Sequence, residues 1–160
     1  MELELFRGNV PDTQTPWASR DGILEMQRML EQAPTSVTSA ACNTEEVFPL
    51  VHRFADNVYA REILLPRDSV VIGKIHRYGH LNVITKGHVS VLTEFGVEEL
   101  RAPCTFISKP GTKRVVYAHE DTVWTTFHGT KHTDVESVEE DIICKSFAEF
   151  DLLKQLENKP

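Results

Sequence analysis

Gly73-Lys-Ile-His76-Arg-Tyr-Gly79-His80-Leu-Asn82-Val-Ile-Thr-Lys-Gly87 is the stretch on which the reading of the fold turns. Val70-Val71-Ile72 leads into it, and Leu81 to Ile84 carries the chain out. β-Branched residues dominate both runs, and Gly79 breaks between them. The pattern is strand, turn, strand. His76 closes the first strand and His80 opens the second, so two imidazoles share one end of a hairpin. In a closed β-structure that end is a mouth.

The same signals continue on both sides. Val58 to Leu65, Asp68 to His76, Leu81 to Ile84, His88 to Thr93, Val97 to Leu100, Thr105 to Ser108, Arg114 to Ala118 and Thr122 to His128 read as short strands. Turn residues separate them, including Pro66-Arg-Asp68, Glu94-Phe-Gly96 and Lys109-Pro-Gly111. Strands this short and this closely spaced predict an antiparallel barrel or sandwich over residues 57–130. No helical pattern alternates with them, which excludes a parallel sheet.

This middle region resembles the cupin superfamily of small jelly-roll β-barrels. Aligned on Gly87, His76 matches the second histidine of the family's first motif. Lys74 stands where the first histidine belongs, and His80 where the glutamate belongs. The family's second motif, Pro-x-Gly-x-x-His, is matched by Pro110-Gly111-Thr-Lys-Arg114, with Arg114 in the histidine slot. The resemblance implies a mainly β, single-domain jelly-roll barrel with a ligand site at its mouth, lined by His76, His80, Asn82 and Arg114. A second likeness, from His119 to the acidic helix ending Ile142-Ile143, is to small cupin-like proteins of bacteriophages. It implies an accessory or virion-associated role.

The chemistry of the mouth leaves three readings open. Neutral imidazoles are ligands for Zn, Fe, Ni, Cu or Mn, and His76 with His80 would start a metal-dependent dioxygenase or isomerase. A catalytic site needs about three protein ligands. Arg114 cannot serve, because a guanidinium keeps its proton. His128 returns to the same end, but a one-residue shift decides whether it faces in or out. His119 belongs to the opposite end. The sequence therefore puts a metal at His76, His80 and His128 second, and expects no cofactor. A mouth lined by His76, His80 and Arg114 also suits a small anion. The reading placed first is a non-catalytic cupin-fold protein that assembles with itself or another protein.

The flanks fill out one domain of 160 residues. Residues 1–20 read as an irregular arm anchored by Phe6 and Trp17, with Phe6, Trp17, Phe147 and Phe150 expected at an intersubunit contact. Asp21 to Gln32 has apolar residues at helical spacing, capped by Ser19 or Asp21. Pro34 to Asn43 reads as a loop, and Glu45 to Ala55 is ambiguous, since Pro49 bars a central strand, so residues 21–56 are expected as helix and loop. Thr133-x-x-Glu136 and Ser146-x-x-Glu149 read as capping boxes opening helices Asp134–Ile143 and Phe147–Leu156. Tyr117 and Trp124 are expected as a cross-strand aromatic pair.

Composition narrows function. A formal charge of −7 argues against nucleic acid as a partner. No apolar run has membrane length, and the start of the chain lacks the features of a signal peptide. A cytoplasmic protein is expected, in a host cell or a virion if phage-encoded. Cys42, Cys104 and Cys144 have no metal or redox spacing.

Overall fold

A computed structural model describes residues 15–34 and 44–158. Phe6, Cys42 and most of the expected arm lie outside the described residues. In chain order the elements are α1 (Arg20–Glu31), α2 (Thr44–Val47), β1 (Leu50–Ala55), β2 (Val58–Leu65), β3 (Val70–Ile72), β4 (Ile75–His76) and β5 (His80–Lys86). These are followed by β6 (His88–Thr93), β7 (Gly96–Arg101), β8 (Cys104–Ser108), β9 (Val115–Ala118), β10 (Thr122–Gly129), α3 (Val135–Ile142), β11 (Ile143–Cys144) and α4 (Phe147–Glu157).

The sheets are antiparallel, in the orders β1-β2-β10-β5-β8 and β3-β9-β6-β7, with a separate β4-β11 pair. The chain alternates between the two large sheets as it goes, which is jelly-roll connectivity. Their inner faces share one core. Leu65, Ile84 and Trp124 come from the five-stranded sheet, and Val89, Val91, Val116 and Ala118 from the four-stranded sheet. The fold is thus the mainly β, cupin-like jelly roll expected, with helices at either end of the chain. Strand alternation sets which side chains enter the interior. In β2 the inward set is Tyr59, Arg61, Ile63 and Leu65, and its partners in β10 include His128, Thr126 and Trp124. At the β5–β6 turn Gly87 has φ +97°, and a Cβ there would strike Thr122 and Asp121.

Three helices cover this frame. Ile23 and Met26 of α1 pack with Leu92, Val97, Val115 and Tyr117 on the outer face of the four-stranded sheet. Ser19 caps α1, its Oγ accepting the Gly22 N–H at 3.0 Å. Val138 and Ile142 of α3 close on Tyr59 at one end of the barrel. Phe147 and Phe150 of α4 are buried with Ile75 and Cys144.

Several expectations need correction. The sheet begins at Leu50, inside the region expected to be helix and loop, and Pro49 directly precedes β1, an edge strand. Asp68–His76 is broken into β3 and β4. The box at Thr133 is displaced by one residue, since Asp134 Oδ1 accepts the Ser137 N–H at 2.8 Å. Tyr117 and Trp124 are not a cross-strand pair, because β9 and β10 belong to different sheets. Tyr117 faces α1, whereas Trp124 lies in the core between the sheets. Trp17, Phe147 and Phe150 pack against the chain's own body.

Candidate metal centre and adjoining cavity

Each histidine of the barrel mouth arrives from a different strand. His76 ends β4, His80 opens β5 and His128 nears the end of β10. Pairing of β10 with β5 places Thr126 opposite Asn82 and Phe127 opposite Leu81, so His128 shares the inward phase of Asn82 and His80. The register left open by the sequence is resolved inward. The ring centroids stand 4.2 Å apart for His76–His80, 4.5 Å for His80–His128 and 5.0 Å for His76–His128. One nitrogen from each ring lies within 4.8 Å of the others.

Burial keeps these rings neutral. Desolvation is the largest cause of depression for all three, lowering His76 to about 2 and His80 and His128 to about 4. The neighbouring imidazoles and the cations Arg114 and Arg61 push His76 further in the same direction. His80 Nδ1–H points at the Tyr78 carbonyl across 3.4 Å, which leaves Nε2 with a free lone pair. That Nε2 and His76 Nδ1 are buried and have no hydrogen-bond partner among the described residues. Buried polar atoms are nearly always paired. Two orphaned nitrogens in one cluster of neutral imidazoles fit a cation's donor set.

A network behind the cluster holds it in place. Asn82 is fully buried. Its Nδ2 donates to Ser108 Oγ at 2.6 Å and points at the carbonyls of His80 (3.2 Å) and Phe106 (3.4 Å). Its Oδ1 accepts from Trp124 Nε1 at 3.0 Å. Asn82 is thus fully engaged and does not line the cavity, so its part is to position β5 and β8. Arg114 donates to the same Ser108 hydroxyl, and its guanidinium lies over Phe106 and Trp124, 5.8 and 5.7 Å from the ring centroids.

Beside His76 and His128 opens a cavity of about 180 Å³. Tyr59, Arg61, Arg114 and Thr126 line it, and Ile142 and Ile143 form part of its wall. Lys74, in the family's first-histidine slot, is paired with Glu139 of α3 at 2.8 Å and is half-exposed. Sequence reasoning anticipated His76, His80 and Arg114 but missed Arg61. Its signal was present, as the one charged residue on the inward phase of Tyr59-x-Arg61-x-Ile63-x-Leu65. The covering role of Ile142 and Ile143 had no local signal.

A second group, His88, Glu99 and His119, lies at the other end of the barrel. His88 Nε2 faces Glu99 Oε2 at 3.3 Å, His119 Nε2 meets Ser90 Oγ at 2.7 Å, and the rings stack with an interplanar angle of 17°. Here the facing nitrogens are hydrogen-bonded, which sets this group apart from the first cluster.

Fold and cluster together define a class: a cupin-like jelly roll with three histidines gathered at one end. No family model matches the chain, and no curated protein matches it. Solved structures with a similar fold include an RmlC-like cupin from Shewanella frigidimarina, at 12% identity and TM-score 0.48 over 65% of this chain and 97% of that one. KdgF from a Halomonas species aligns at 16% identity and TM-score 0.47, over 56% of this chain and 87% of its own. The cupin domain of Cnp3 from Schizosaccharomyces pombe aligns at 10% identity and TM-score 0.46, over 67% and 79% respectively. None of these carries a bacteriophage origin. Among the described residues no helix is long and apolar enough to cross a membrane.

Proposed function

We propose that this protein binds a divalent transition metal through His76, His80 and His128 and a small molecule in the adjoining cavity. The observation that carries the reading is the convergence of three neutral imidazoles with two buried, unpartnered ring nitrogens. This reverses the order reached from sequence, where the third ligand was undecided. Three protein ligands leave coordination positions open, so a bound ion would supply Lewis acidity or a ligand attachment point. The chain's own residues hold the imidazoles neutral by burial, orient His80 through Tyr78, and shelter the site beneath Ile142 and Ile143. Both a metal-dependent enzyme of the dioxygenase or isomerase class and a metal-assisted binding protein fit this chemistry.

The test is elemental analysis of protein purified without added metal, followed by calorimetric titration with zinc and nickel. One ion per chain is expected. His80→Ala should cost more than the ~10–100-fold that loss of an outer partner costs a metal site. Absence of stoichiometric uptake by the unaltered protein would refute the reading.

Self-association is a second reading, favoured by the outer face of the five-stranded sheet. Leu81 (44% exposed) and Ile107 (76% exposed) are cross-strand partners there, and Val51 and Leu64 are exposed on the same face. Sedimentation of Ile107→Lys against the unaltered chain distinguishes an oligomer from a monomer. A virion-associated role rests only on the resemblance of residues 119–143 to small phage proteins.

A further inference from the structure

The cavity wall carries two half-buried guanidinia. Arg61 enters from β2 and Arg114 from the position just before β9, and both line the space that His76 and His128 also line. Neither forms an ion pair among the described residues. Arg114 has only the Ser108 hydroxyl and two aromatic faces. Burial pushes the pKa of each guanidinium down, against the weaker pull of Glu98 on Arg114 and of Tyr59, Glu139 and Glu45 on Arg61. Glu139, the acid in the cavity wall, is already held by Lys74 at 2.8 and 2.9 Å. The chain carries a net charge of −7, yet this interior is cationic.

A guanidinium held partly out of water without an acidic partner leaves its donors open to an anion that enters the cavity. Planar guanidinia match carboxylates with two parallel hydrogen bonds. At about 180 Å³ the space is smaller than the ~300 Å³ at which pockets for drug-sized ligands begin, which restricts the ligand to a few carbons. From these features we infer that the cavity binds a small organic dianion, a short dicarboxylate, with Arg61 and Arg114 as its two anchoring residues. The inference rests on the proposed reading of this cavity as a ligand site. It has a consequence for the metal. Neutral imidazoles do not offset an ion's two charges, and the two guanidinia add to them. Dianion and metal therefore tighten each other's binding, by the same factor in both directions.

The experiment is calorimetric titration of the full chain, metal-free and zinc-loaded, with malonate, succinate, acetate, succinamide and inorganic phosphate. Saturable one-to-one binding of a dicarboxylate is expected, with acetate weaker, the neutral diamide silent, and affinity higher after zinc. Loss of a hydrogen bond between charged groups corresponds to about tenfold or more in affinity, so Arg61→Gln and Arg114→Gln should each weaken binding by that factor. Arg61→Lys should recover part of the loss. Zinc stoichiometry in Arg61→Gln should stay at that of the unaltered chain. Saturation by phosphate but by neither dicarboxylate would overturn the ligand class. Zinc uptake without dicarboxylate binding, or binding indifferent to Arg61→Gln, would overturn the inference while leaving the metal reading intact. Dicarboxylate binding without zinc uptake would refute the metal reading alone.

Discussion

Replacing Asn82 by alanine should destabilise the protein by about 3 kcal/mol and loosen the histidine cluster. Asn82 has no exposed surface, and four groups address its amide, three of them within 3.2 Å. The change orphans the Trp124 indole N–H, which lies in the core and has Asn82 Oδ1 as its partner at 3.0 Å. An unsatisfied buried donor costs about 1–3 kcal/mol. Loss of the bond to Ser108 removes about 1 kcal/mol more, although that hydroxyl keeps Arg114 as a donor. The carbonyls of His80 and Phe106 are weaker contacts and add little. A cost of about 3 kcal/mol is a large share of the ~5–15 kcal/mol that stabilises a typical domain. Urea unfolding followed by Trp fluorescence measures it, and a zinc titration of the same variant reads the effect on His80. A loss below about 1 kcal/mol in Asn82→Ala, with unchanged zinc affinity, would refute the view that this amide holds the interior together.

Acid should destabilise the metal-free protein. His80 and His128 hold pKa values of about 4 and His76 about 2 when folded, against about 6.5 when unfolded. The unfolded chain therefore takes up protons first. The contribution of the neutral rings is complete above about pH 6.5 and is lost as pH falls, towards about 4 for His80 and His128 and towards about 2 for His76, by at most ~4 kcal/mol per pH unit for three rings. Urea midpoints at pH 7, 6 and 5 check this. A flat profile would contradict it, and His128→Gln should shallow the slope. Gly111→Ala should cost about 2–4 kcal/mol, because its φ of +78° disfavours a side chain and the new Cβ would strike the Phe150 ring. Hydrogen exchange should show α4 losing protection first, and a variant as stable as the parent would count against the packing described.

Much of the fold was legible because strand signals are local. Val58–Leu65 and His88–Thr93 coincide with β2 and β6 to the residue, since turn residues, Asn57 and Pro66 for one and Gly87 and Gly96 for the other, bracket them. Ser146 caps α4 as its box requires, its Oγ accepting the Glu149 N–H at 3.1 Å. The capping residue of α3 was misplaced because Thr133 and Asp134 are both good caps, and local sequence does not choose between them. Tyr117 and Trp124 were paired wrongly for a different reason. Two consecutive strands look like a hairpin whether they stay in one sheet or cross to another, and the choice is made by burial over the whole barrel.

The candidate site divides along the same line. From sequence alone came the jelly-roll expectation, the pair His76 and His80 at one end of a hairpin, and the cation Arg114 near them. The histidine pair follows from spacing within a few residues, whereas the jelly roll and the place of Arg114 were implied by the resemblance to cupins. Tertiary structure alone decided that His128 faces inward, because its phase depends on the register of β10 against β2 and β5, which are distant in sequence. It also decided that Arg61 shares a cavity with Arg114, and that Ile142 and Ile143 help to cover it. Those relations join strands and a helix up to eighty residues apart. They are set by which faces must be buried together, a property of the packed chain that no local window of sequence contains.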